Sequence, residues 1–204
     1  MNKRFQNSAI LVVDVQNDFC PGGALGIQDG DKLIPIANKL MPLFPLVLAT
    51  QDWHPLNHCS FREQGGIWPP HCVQNTKGAE LHPGLHTKEI DRFFFKAFSA
   101  DKDAYSGFEG LDEKGCSLDA VLRNEKINRL YIAGLATDYC VKATAFDALK
   151  NGYEVYVIVD AVQAVNVNEK DGEKALAELE SLGAHLLNSV ALLKKVSRAS
   201  ASGD

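Results

Sequence analysis

Gly134-Leu135-Ala136-Thr137-Asp138-Tyr139-Cys140 joins two stretches of different character. Before it, Leu130-Tyr131-Ile132-Ala133 is an unbroken apolar run, as expected of a strand covered on both faces. After it, Val141 to Lys150 is rich in Ala, Leu and Lys and reads as a helix. Cys140 therefore falls in the first turn of a helix that leaves the end of a strand, with Thr137 or Asp138 as its natural N-cap. Unpaired backbone N–H groups and the positive end of the helix dipole favour thiolate there, the nucleophilic form of cysteine. The plainer alternative is a small buried apolar residue, which free cysteine often is. A sharp strand-to-helix turn also offers N–H groups to a developing oxyanion, here those of Ala136 and Cys140.

Working outward, strand and helix patterns alternate along the whole chain. Apolar runs predict strands over 8–15, 45–51, 91–96, 129–133 and 153–159, and a short sixth over 185–187. Helical patterns cover 32–43 (capped by Asp29 or Asp31), 117–124, 168 or 169 to 182, and 189–196. This order predicts an α/β fold: a three-layer, doubly wound domain with a mostly parallel sheet of about six strands. Residues 1–196 read as one domain, and the small polar residues 197–204 as a frayed tail. The segment from Asp52 to about Glu89 has no regular pattern, yet it holds five of the six histidines and both tryptophans. Loops of that length are functional or disordered, and its aromatic and histidine content argues for function.

The composition is that of a globular protein, with 46% apolar and 23% charged residues and a net charge of −5. Without a basic block, nucleic acid and anionic membrane are poor partners, and no apolar run approaches a membrane span. The apolar run after the N-terminus is interrupted by Asp14, which argues against a signal peptide. The five cysteines are odd in number and form no C-x-x-C pair. A reducing cytoplasm is the simplest inference.

Asp14, Lys96 and Cys140 each lie at or just beyond the C-terminal end of an expected parallel strand, the edge where such sheets bind ligands. The acid can accept the thiol proton, and the cation can favour thiolate. Each alone has a bland reading, as a loop-capping acid or a snorkelling lysine. Asp52-Trp53-His54 presents a carboxylate and an imidazole on one side of an extended backbone, and His71 completes a mixed N/O set suited to Zn(II), Fe(II) or Mn(II). His58 or Glu63 can add a fourth or outer ligand. Phe19, Trp68 and Tyr105 fall in the loops that ring this edge, where they can wall a flat ring or pack onto the core.

Together these motifs resemble the isochorismatase-like cysteine hydrolases, and within them the nicotinamidases. The residues that carry the resemblance are Asp14-Val15-Gln16-Asn17-Asp18-Phe19, Gln51-Asp52-Trp53-His54-Pro55, Trp68-Pro69-Pro70-His71-Cys72-Val73, Lys96, and Gly134 to Cys140. The resemblance implies a catalytic triad of Asp14, Lys96 and Cys140, metal ligands Asp52, His54 and His71, and an oxyanion hole from the Ala136 and Cys140 amides with a cis Leu135–Ala136 peptide. It implies a substrate site built from Phe19, Trp68, Tyr105 and Ala136. The implied activity is metal-dependent hydrolysis of nicotinamide to nicotinate and ammonia through a cysteine thioester, serving NAD salvage, with pyrazinamide as a second substrate. Zinc is the first choice of metal, with iron or manganese also suited. A homo-oligomer is compatible with this reading. The rival readings are enol-ether cleavage of the isochorismatase type, hydrolysis of other small amides, and a metal- or ligand-binding module without catalysis.

Overall fold

The computed structural model describes residues 5–200, with side chains described for 5–194. Its strands and α-helices run in the order β1 (Ser8–Val13), α1 (Ile34–Leu40), β2 (Val47–Asp52), β3 (Arg92–Lys96), α2 (Leu118–Asn124), β4 (Arg129–Leu135), α3 (Lys142–Lys150), β5 (Glu154–Gln163), α4 (Asp171–Ser181), β6 (His185–Leu187) and α5 (Ser189–Ser200). The six strands form one sheet in the order β3-β2-β1-β4-β5-β6, with every pairing parallel. This is a doubly wound order, and its direction reverses between β1 and β4.

Alternate residues of the central strands feed two cores. Ile10, Val12, Ala49, Ala133 and Ile158 pack against Ile34, Ala37 and Leu40 of α1 and Leu192 of α5. Ala9, Leu11, Val13, Leu48, Ile132 and Val157 pack against α2, α3 and α4 through Leu118, Leu122, Ala145 and Leu179. Burial on both faces is why β1 reads as a continuous apolar run rather than an alternating one. The expected three-layer architecture is the observed one.

Several boundaries differ from expectation, each for a local reason. β1 ends at Val13 because Asp14 takes a left-handed φ of +49°, and Gln16 N–H turns back to the Asp14 carbonyl at 2.8 Å. α1 is shorter than 32–43: Pro42 converts its last turn to a 3₁₀ turn, Met41–Leu43. Neither Asp29 nor Asp31 caps it by side chain; the residue before the helix is Leu33. β4 runs two residues further than expected, and β5 continues through Asp160 to Gln163 across a register shift between Ile132 and Gly134. α4 begins at Asp171, after Lys170 in a left-handed conformation. α5 runs past the expected stop near Val196, and 201–204 of the expected tail lie outside the described residues.

Gly134 lies directly against the backbone of β1 at Val13. Its φ is +121°, and a Cβ there would sit 2.1 Å from the Val13 carbonyl oxygen. Gly134→Ala combines a disfavoured backbone with a clash against backbone, so it is expected to cost ~3 kcal/mol or more. Denaturant unfolding checks this, and a loss below about 0.5 kcal/mol would contradict it.

Candidate active site

The parallel register delivers the site. Asp14 follows the end of β1, Asp52 and Lys96 end β2 and β3 as direct neighbours in the ladder, and Cys140 lies in the turn after β4. The four side chains, far apart in sequence, meet at the C-terminal edge of the sheet beside the β1/β4 switch point, where ligands bind in open α/β sheets.

Lys96 is the centre. It has no exposed surface, and its ammonium lies 3.0 Å from Asp14 Oδ2, in a short contact with Asp52 Oδ1, 3.4 Å from Cys140 Sγ and 3.3 Å from the Ala104 carbonyl. Carboxylate oxygens of Asp14 and Asp52 come within 4.8 Å of the sulfur and of each other. Burial works against the ammonium, but Asp14, Asp52 and Cys140 outweigh it and hold Lys96 charged well above the usual lysine range. Asp52 is buried too, yet Lys96 and His54 keep its carboxyl well below the usual range. Asp14 goes the other way: burial, aided by the Asp52 charge, raises it despite Lys96 and a 2.7 Å hydrogen bond from the Thr50 hydroxyl.

Cys140 departs from the expectation of a resting thiolate. Burial raises its thiol well above the ordinary range; Lys96 opposes this, while Asp14 and Asp52 reinforce it. The expected N-cap also differs. Residues Thr137–Val141 form a π-helical turn whose preceding residue is Ala136, and the Ala136 carbonyl accepts from Tyr139 (3.1 Å) and Val141 (3.0 Å). Neither Thr137 nor Asp138 caps it. Desolvation at this buried position outweighs what favours thiolate. The Leu135–Ala136 peptide is cis.

The second group, Asp52, His54 and His71, adjoins the first through Asp52. All three are buried, and their potential ligand atoms lie within 4.8 Å of one another. Both ring nitrogens of His54 are buried without a hydrogen-bond partner, and Nε2 is 3.6 Å from Asp52 Oδ2, too long for a hydrogen bond. His71 points Nδ1 at the Pro69 carbonyl, 2.8 Å away, which leaves Nε2 for a ligand. Burial lowers the His71 imidazole, favouring the neutral form that metals bind. Two carboxylates also face a single ammonium here, an excess of acid that a cation beside Asp52 offsets. The residues therefore fit a divalent metal.

His58 and Glu63 are not brought in alike. The His58 ring lies 4.2 Å from that of His54, but its nitrogens are taken by Ser60 Oγ at 2.7 Å and the Lys102 carbonyl at 3.2 Å. Glu63 is exposed in the 3₁₀ turn Arg62–Gln64, outside the cluster.

Above the sulfur is a cavity of about 40 Å³, lined by the expected Phe19, Trp68, Tyr105 and Ala136 and by Asp52, His71 and Cys140. Trp68 Nε1 donates to the Tyr105 hydroxyl at 3.1 Å, fixing both aromatic walls. Leu25, Ile27, Tyr139 and Val165 also line it. These were not foreseen. Tyr139 neighbours the nucleophile candidate, which was the available signal for it; Val165 follows β5, which runs past its expected end, and carried no such signal.

Two polar residues of the first motif hold the site together. Gln16 extends the β1–β2 pairing with its side chain: Oε1 accepts from Asp52 N–H, and Nε2 donates to the Asp52 and Ala79 carbonyls, each at 2.8 Å. Asp18 accepts from Cys72 N–H (2.7 Å) and Ala24 N–H (3.2 Å), tying the loop of Phe19 and Leu25 to that of His71.

Known proteins share this arrangement's sequence and fold. The isochorismatase domain family matches residues 8–190. The nicotinamidase of Escherichia coli (strain K12) is 45% identical over 87% of this chain and 93% of its own. Among solved structures, the pyrazinamidase of Pyrococcus horikoshii in complex with zinc is 48% identical, covering 89% of this chain and 99% of that one with a TM-score of 0.80. The L. infantum protein solved in complex with nicotinate is 40% identical, covering 91% of this chain and 94% of that one with a TM-score of 0.84. With its fold, its buried cluster and an almost end-to-end match all in agreement, this chain belongs to the isochorismatase domain family.

Proposed function

We propose that this protein is a nicotinamidase: it hydrolyses nicotinamide to nicotinate and ammonia, returning the pyridine ring to NAD salvage, and it accepts pyrazinamide as well. The observation that carries the reading is Lys96, buried between Asp14 and Cys140 on one side and the carboxylate of a three-residue metal set on the other. Relatives named for this activity, and a structural neighbour named for its zinc complex, support it.

The chemistry follows from the proton affinities. Asp14, raised by burial, is the base, and Cys140 Sγ loses its proton to it as sulfur attacks the amide carbon. Lys96 keeps its own proton throughout and compensates the charge on whichever neighbour is ionised. The carbonyl oxygen becomes an oxyanion on the Ala136 and Cys140 N–H groups, each such donor contributing ~3 kcal/mol. As the C–N bond breaks, Asp14 returns the proton to nitrogen, and ammonia leaves. The resulting thioester is cleaved by water, whose proton goes to Asp14; the C–S bond breaks, nicotinate leaves, and the sulfur recovers its proton. Asp52, His54 and His71 would hold a divalent ion, zinc by preference, whose Lewis acidity supplies an anchor for the ring nitrogen. Phe19 and Trp68 clasp the ring, with Tyr105 beside them. All five cysteines are free, and Cys140 must stay so, which suits the reducing cytoplasm.

Cys140→Ala is expected to abolish nicotinate release while retaining bound metal, measured by product assay and metal analysis on the same sample; substantial amidase activity would remove Cys140 as nucleophile. Chelation is expected to lower activity reversibly, with recovery on adding Zn(II); unchanged kinetics after verified metal loss would exclude a role for metal. Gln16→Leu strands the Asp52 peptide groups without partners, an expected loss of about 2 kcal/mol in stability together with faster metal loss to a chelator. Wild-type metal retention in that variant would show that Gln16 does not orient Asp52.

A further inference from the structure

The Asp138 carboxylate lies two residues before Cys140 but does not cap the turn that carries it. Both of its oxygens are used elsewhere: Oδ1 accepts from Val165 N–H at 3.0 Å and Oδ2 from Asn166 N–H at 2.8 Å. The segment it grips, just after β5, is held from its other side as well. Asn166 has a left-handed φ of +53°, and its Oδ1 accepts from Gly172 N–H at 2.9 Å at the start of α4. A Cβ on Gly172 would lie 2.5 Å from Ala164 Cβ, so α4 presses directly on this segment. Just beyond it, Val167 is 61% exposed.

What the grip positions is Val165, whose side chain lines the substrate cavity with Ala136, Tyr139 and Cys140. The facing walls, Phe19, Trp68 and Tyr105, come from loops after β1, β2 and β3. Among the described residues, Val165 is the wall residue beyond the nucleophile's own turn whose backbone is hydrogen-bonded to that turn. We propose that Asp138 is a positioning residue for substrate specificity: it fixes the distance from the Val165 wall to Cys140 Sγ, and this distance sets how wide a ring the cavity accepts. The inference rests on the nicotinamidase reading and names the part of the site that rejects ring-substituted amides. Asp138 makes no contact with the reacting atoms; it acts through the Val165 backbone.

The shape of Asn makes Asp138→Asn the sharpest change. It keeps one acceptor oxygen and turns an NH₂ toward the other backbone N–H, so one of the two bonds must break. The test uses the intact, metal-loaded enzyme and compares nicotinamide with a ring-methylated nicotinamide. In the wild-type background, Val165→Ala is expected to relax discrimination against the methylated amide about tenfold, the scale of one methyl group in a tight apolar site. Asp138→Asn is expected to raise KM for nicotinamide about tenfold, more than it lowers kcat, and to relax discrimination similarly. In the Asp138→Asn background, Val165→Ala should change discrimination by less than about twofold, since the wall has already been released. A structural loss alone would not produce that non-additivity. Equal effects of Val165→Ala in both backgrounds would overturn the proposal, as would an Asp138→Asn enzyme with wild-type KM and discrimination. If Asp138→Asn yields no folded protein, Val165→Ala alone decides, and unchanged discrimination overturns the proposal. A wild-type enzyme that releases no ammonia from nicotinamide would overturn the functional reading and this inference with it; wild-type turnover with additive variants would overturn the inference only.

Discussion

A lysine ammonium with no access to water organises this protein's functional edge. Leaving water costs an ion several kcal/mol, and the cost is recovered only by close, well-placed counter-charges. Lys96 has them in Asp14 and Asp52, with Cys140 Sγ 3.4 Å away. The fold makes this meeting possible because Asp52 and Lys96 are paired residues on adjacent parallel strands. A slip of one residue in that register would turn Lys96 to the other face of the sheet and leave two carboxylates buried unpaired.

The same arrangement divides labour among groups of similar kind. Two buried aspartates share one cation, yet Asp52 is held ionised while Asp14 is pushed toward its protonated form. The difference comes from surroundings: Asp52 has His54 and the closer approach of Lys96, and Asp14 has the charge of Asp52 against it. An ionised Asp52 is what a metal set needs, and a more basic Asp14 is what a proton acceptor needs. Gln16 and Asp18, from the same short motif as Asp14, hold the neighbouring loops by backbone hydrogen bonds. One hexapeptide thus supplies the proposed base, a clamp on Asp52, a tie between two loops, and an aromatic wall.

The sequence made most of the architecture legible because burial on both faces leaves unbroken apolar runs, and polar groups stand out at their C-terminal ends. Asp14, Lys96 and Cys140 were readable in that way. What was not readable depended on three-dimensional competition. Cys140 follows a strand and opens a helix, which locally favours thiolate, but burial beside two carboxylates reverses the balance. Asp138 sits where an N-cap should be, but two backbone N–H groups from 27 and 28 residues away claim it. Asp160 resembles a strand end, yet β5 continues past it while its carboxylate caps α5 through Ser189. Val165 carries no chemical signal, and only the fold brings it to the cavity.

The proposed chemistry begins with a bond between Cys140 Sγ and the substrate's carbonyl carbon, made while Lys96 compensates the charge passing between sulfur and Asp14. The most direct measurement is peptide-resolved mass spectrometry of enzyme mixed with nicotinamide and quenched in acid during the first turnover. The account predicts a nicotinoyl group on the peptide that bears Cys140, formed together with the first ammonia. Ammonia and nicotinate appearing in step with the Cys140 peptide unmodified, or the acyl group on any other residue, would contradict it.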